Sequence, residues 1–152
     1  MMNKVVVRFR DGRLLKGTLV NFRQGNDTVN VADARTGMVH VFRLNECKAL
    51  FFVRDFHGEP THRELKDFEH NLGYGRKTVV RFEDDEELWG YTQGFDKNRP
   101  GFFLFPVDPN SNNQRIYVVH AATKEVRFVL RPGATNNEGT ATEAVTRQAI
   151  AR

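Results

Sequence analysis

Apolar positions along this chain fall in short alternating runs, the period of strands that bury one face. Val5, Val7 and Phe9 alternate with Lys4, Val6, Arg8 and Arg10. Asp11-Gly12 follows, a hairpin signal because both turn positions need φ > 0 and glycine adopts it cheaply. A longer strand over 14–22 comes next, and Gly17 inside it predicts a sharp bend or bulge. Strands over 29–33 and 38–43 form a second hairpin around Ala34-Arg35-Thr36-Gly37, and the turn Asn45-Glu46-Cys47 leads into a last strand over 49–53.

The same pattern then returns. Lys4 to Phe22 and Lys77 to Phe95 align without a gap at an offset of 73, with nine of nineteen positions identical, among them Arg8/Arg81, Phe9/Phe82, Leu15/Leu88 and Gly17/Gly90. The second halves align at an offset of 76, matching Lys48 with Lys124, Phe52 with Phe128 and Val53 with Val129, so a three-residue insertion falls near Pro106 to Gln114. The chain holds two homologous units, and the second predicts strands over 78–83, 88–95, 101–105, 115–120 and 125–130. Five short strands with one bent strand predict a small closed barrel in each unit, because a flat sheet of that size leaves both edges unprotected.

The stretch V-x-F-x-D-G-R-x-L-x-G-x-L-x-x-F, Val7 to Phe22, resembles the first motif of Sm and Sm-like proteins, and also fits the wider group of SH3-like barrels. Phe42-Arg43-Leu44-Asn45-Glu46-Cys47 is similar to the second Sm motif, with Leu44 where the family has glycine, and Asp27 stands where the first motif has asparagine. The resemblance implies an all-β fold of two tandem five-stranded barrels. It also implies RNA contacts from the loops after strands two and four, where Arg43 and Asn45 match the second motif. The equivalent triplet in the second copy, Val119-His120-Ala121, lacks that signature.

Between the copies, Thr61 and Glu64 make a capping box, and Leu65, Phe68 and Leu72 share one helical face. A short linker helix over about 62–71 is expected, packed with Phe56 across one or both barrels. The expected organisation is a basic barrel over 1–53, a linker with a short helix over 54–75, a second barrel with a longer third connection over 76–130, and a flexible tail over 131–152. The tail contains a weakly amphipathic stretch at 143–150.

Charge separates the two copies. The chain carries a formal net charge of +4 with a sequence pI near 9.5. The first 53 residues are net +5, residues 54–75 net −2, residues 76–130 neutral and the tail net +1. Arg8, Arg10, Arg13, Lys16 and Arg23 place the basic surface on the first copy, whereas the second carries the acidic run Glu83-Asp84-Asp85-Glu86-Glu87. A basic hairpin tracks phosphates by releasing counterions, and charged outward positions also protect sheet edges. The opposed hairpins supply a third use, meeting each other within or between molecules.

Other chemistry is sparse. A single cysteine excludes an internal disulfide framework and a multi-cysteine zinc site. The longest apolar run, 49–53, is far shorter than a membrane span, and the opening residues carry no signal-peptide core; a cytoplasmic protein without a membrane partner is expected. Asp108-Pro109-Asn110-Ser111-Asn112-Asn113 opens like a calcium loop but has Asn113 and Val119 where glycine and glutamate are required, so it reads as Asx-turn chemistry. His57, His62 and His70 near Asp55, Glu64 and Asp67 lack ligand spacing and read as surface residues, with no metal or cofactor expected. Phe103 and Phe105 are expected to point inward, with Phe102 the candidate for exposure. No nucleophile–base set or phosphate-binding loop is present, which points away from catalysis. The sequence thus predicts a binding module. One reading is RNA or single-stranded nucleic acid bound through Arg8, Arg10, Arg13, Lys16, Arg43 and Asn45; the alternative is protein interaction, self-association included, through barrel edges and the opposed hairpins.

Overall fold

In a computed structural model, residues 3–69 and 74–129 are described. Ten strands run in chain order: β1 (Lys4–Phe9), β2 (Leu14–Asn21), β3 (Thr28–Asp33), β4 (Val39–Arg43), β5 (Cys47–Val53), β6 (Arg76–Phe82), β7 (Glu87–Thr92), β8 (Gly101–Pro106), β9 (Asn113–Val119) and β10 (Thr123–Phe128). The repeat carries through to the turns. The 3₁₀ turn Leu44–Glu46 and its counterpart His120–Ala122 sit at the repeat offset of 76. Gly12 closes the first hairpin at φ 95°, and in the second copy Asp85 holds the same left-handed position at φ 72°, which aspartate tolerates better than most residues.

All ten strands belong to one antiparallel sheet of order β10-β6-β7-β8-β9-β5-β1-β2-β3-β4. The first half contributes β5-β1-β2-β3-β4 and the second half the same order, β10-β6-β7-β8-β9. The halves join where β9 pairs with β5, with Leu50 opposite Tyr117 and Phe51 opposite Ile116. Every residue of β5 is buried. Cys47, Leu50 and Phe52 enter one core with Val5, Val7, Val29 and Val31. Ala49, Phe51 and Val53 enter the other with Val80, Phe82, Phe102 and Leu104. β9 does the same in reverse, sending Tyr117 and Val119 to the first core and Ile116 and Val118 to the second. Each core is therefore walled in part by the other half's strands.

Several expectations are corrected. The two expected five-stranded barrels appear as halves of one open sheet of ten strands, without a helical linker among the described residues. No helix forms over residues 62–69, and His70 to Gly73 lie outside the described residues. The physical reason is competition for backbone and cap groups. The Thr61 hydroxyl donates to Glu59 instead of capping, and the Leu65 N–H donates to the Asp108 carboxylate at 2.8 Å. Phe68 stacks on Trp89 with centroids 5.3 Å apart, so the segment runs as an irregular strap. Gly17 holds normal ladder register with Val5 and Asp33, and the irregularity falls between Leu19 and Asn21. Gly17 is required because a Cβ there would lie 2.1 Å from the Ala32 carbonyl oxygen. Phe102 is buried and Phe105 exposed, the reverse of expectation, because β8 turns Phe102 and Leu104 into the second core. The tail and its 143–150 stretch lie outside the described residues.

Candidate functional site

The acidic hairpin of the second half meets basic residues of the first. Arg10 donates from Nε and Nη2 to the two Glu83 carboxylate oxygens at 3.0 and 3.1 Å. Lys48, 7% exposed, reaches the Asp84 carboxylate at 2.7 Å and also bonds Glu86, with its ammonium 4.8 Å from the Phe82 ring centroid. Its repeat counterpart Lys124 contacts the same hairpin, 3.1 Å from Asp85, beside Arg81 at 3.0 Å. Burial opposes ionisation of Asp84, but hydrogen bonds from Lys48 and the Glu86 N–H outweigh it and hold the carboxyl below its ordinary range. Asp85 is held down first by Lys124 and then by Arg81. Sequence reasoning missed Lys48. Its signal was a lysine at the second position of the last strand in both copies, standing in β5 in an otherwise apolar run.

The six basic-site residues are not gathered in one place. Arg8 and Lys16 face the cleft between the halves, where Arg8 lies 5.8 Å from the Phe51 ring centroid and Lys16 donates to the Phe56 carbonyl at 3.1 Å. That open cleft, about 680 Å³, has an apolar floor of Val6, Phe51 and Val53 and mixed charges at its rim, including Arg63, Lys66, Glu64 and Glu87. Arg10 is engaged by Glu83. Arg13 is held in its own turn by Asp11 at 2.8 Å and lies over the Phe9 ring. Arg43 and Asn45 are exposed at the far end of β4, where the Glu46 carboxylate accepts the Arg43 backbone N–H at 2.9 Å.

β4 itself is a sheet edge. Among the described residues it pairs with β3 on one side only, and Val39 and Val41 are exposed along it, preceded by exposed Met38. Single exposed apolar residues are ordinary on protein surfaces, but several along an unpaired strand leave a template on which another strand can pair. The other edge of the sheet among the described residues is β10.

The strap and the Asx-rich turn before β9 are clamped together. Asn112 exchanges hydrogen bonds with Asp55, accepting its N–H at 3.1 Å and donating to its carbonyl at 2.7 Å. Asp108 accepts the Asn110 and Leu65 N–H groups, each at 2.8 Å, and lies 2.8 Å from His62 Nε2. Burial alone would raise the Asp108 carboxyl, yet these donors keep it below its ordinary value. His62 Nε2 is also 3.7 Å from Glu64. This is the one group with metal-ligand spacing among the described residues.

A family of unknown function, DUF6982, matches residues 1–130. The chain belongs to this family. The DUF6982 match runs through both repeats, so the family unit spans the two halves of the sheet together. No curated protein and no solved structure matches the chain.

Proposed function

We propose that the protein is a non-catalytic assembly module in which β4 of one copy adds to β10 of another. The carrying observation is the junction inside the chain. β9 and β5, which pair there, are the repeat counterparts of β4 and β10, the two edges left unpaired among the described residues. Tyr117 is fully buried in that junction, while its counterpart Val41 is 65% exposed. Strand addition of this kind draws affinity from main-chain hydrogen bonds and specificity from alternate side chains. Carrying the junction register over by the repeat offset sets Val41 opposite Val126 and Val39 opposite Phe128. The resemblance of Val7 to Phe22 to the first Sm motif agrees with this reading, because Sm-like proteins form rings by pairing edge strands. A head-to-tail contact of this type closes into a ring or extends as a filament.

Size-exclusion chromatography with light scattering over a concentration series tests this. Self-association that is lost in Val41→Lys is expected, and a monomer at every concentration refutes it. Nucleic-acid binding is the second reading, favoured by Arg8 in the cleft and by exposed Arg43 and Asn45. Its use of Arg10 and Arg13 is weakened by their bonds to Glu83 and Asp11. Titration with random single-stranded RNA at two salt concentrations separates the readings. Binding whose log–log salt slope is about −0.7 per phosphate contact, and which Arg43→Ala abolishes, would establish the second.

A further inference from the structure

We propose that His62, Glu64 and Asp108 bind a divalent transition-metal ion of the zinc class, which fastens the strap to the second half of the sheet. Each residue offers a ligand atom, and these atoms all lie within 4.8 Å of one another. His62 Nε2 lies 2.8 Å from Asp108 Oδ2 and 3.7 Å from Glu64 Oε1. An ion held at zinc–nitrogen and zinc–oxygen distances needs neighbouring ligand atoms roughly 3.3 Å apart in tetrahedral geometry, so small side-chain rotations bring the three residues to ligand spacing.

The donor set and its surroundings fit such an ion. One imidazole with two carboxylates suits a borderline cation better than calcium or magnesium, which prefer all-oxygen shells. The Asp108 side chain is 5% exposed and already oriented by the Asn110 and Leu65 N–H groups. Supporting hydrogen bonds of this kind are what hold a ligating carboxylate in place. Ser111, itself buried, lines the same hollow as Glu64. The Glu64 and Asp108 carboxylates lie together beside His62, and a cation between them would offset their mutual repulsion. A hollow of about 460 Å³, lined by Arg54, Glu59, His62, Glu64, Ser111 and Asn112, opens onto the group and leaves room for water in the remaining positions. Two ligands come from the strap and one from the turn before β9, so the ion would tie together segments that are 46 residues apart at His62 and Asp108.

The test uses the full chain stripped with a chelator and titrated with ZnCl₂ by calorimetry and with CoCl₂ by its visible d–d absorption. Sub-millimolar binding is expected, and at a hundredfold excess over Kd the ion should raise Tm by about 5–10 °C. His62→Ala, a partly exposed strap position, should weaken binding at least roughly tenfold. Glu64→Gln should weaken it in the same direction. Chelated samples of each variant establish that folding is retained. Absence of sub-millimolar binding for both ions overturns the proposal, and so does binding that His62→Ala leaves unchanged.

Discussion

Leu50→Ala tests whether the two halves stand or fall together. Leu50 is fully buried in the first core, opposite Tyr117 across the β5–β9 junction. Truncating it removes the isopropyl end of the side chain from a core shared with Val5, Val7 and Val119 and leaves a cavity, a loss of about 3 kcal/mol. With a urea m value of about 2 kcal/mol/M for a chain of this size, the midpoint falls by about 1.5 M. The probe is Trp89, the single tryptophan, which lies in β7 of the opposite half. Independent halves would leave its transition in place, because Leu50 belongs to the other core. In a shared sheet, unfolding of β5 also withdraws Ala49, Phe51 and Val53 from the second core, so Trp89 fluorescence and far-UV circular dichroism should shift together. An unmoved Trp89 midpoint beside a lowered circular dichroism midpoint would refute the shared-core reasoning.

Gly17→Ala should cost about 1–3 kcal/mol, since its Cβ would press on the Ala32 carbonyl. Gly94→Ala, with open space at that position, should stay within about 0.5 kcal/mol in the same urea assay. Lys48→Met removes a buried cation from two half-exposed carboxylates and should destabilise by about 1–2 kcal/mol; a double-mutant cycle with Asp84→Asn isolates the coupling. Because the folded Asp84 carboxyl is depressed, its contribution is complete above the unfolded pKa of about 4 and is lost as pH falls through the folded value. Lys48→Met should therefore flatten the acid limb of the stability profile. Burial, with Glu46 nearby, pushes the Cys47 thiol up to about 12. Its thiol should resist a disulfide reagent until the chain opens, and stability should decline as pH rises above the unfolded thiol pKa of about 8.5. Prompt labelling of the native protein would contradict this.

What local sequence determines here is the strand inventory. Alternation of apolar and polar side chains, the Asp11-Gly12 turn and the repeat are all short-range features, and each of the ten expected strands forms. The repeat even specifies the two 3₁₀ turns, whose residues match at one offset. Tertiary structure decided what those strands join. Alternation reports which face of a strand is buried but carries no information about its neighbour across a hydrogen-bonded edge, so the β9–β5 junction was not legible. The unbroken run 49–53 was its one local trace, because a strand buried on both faces loses its alternation. The linker failed for the same reason. Thr61, Glu64 and Leu65 carry a helical signal, but the Asp108 carboxylate, 43 residues beyond Leu65, takes the Leu65 N–H. Lys48 and Asp108 gain their roles only when partners distant in the chain converge, and that convergence is settled by packing over the whole sheet rather than by local propensity.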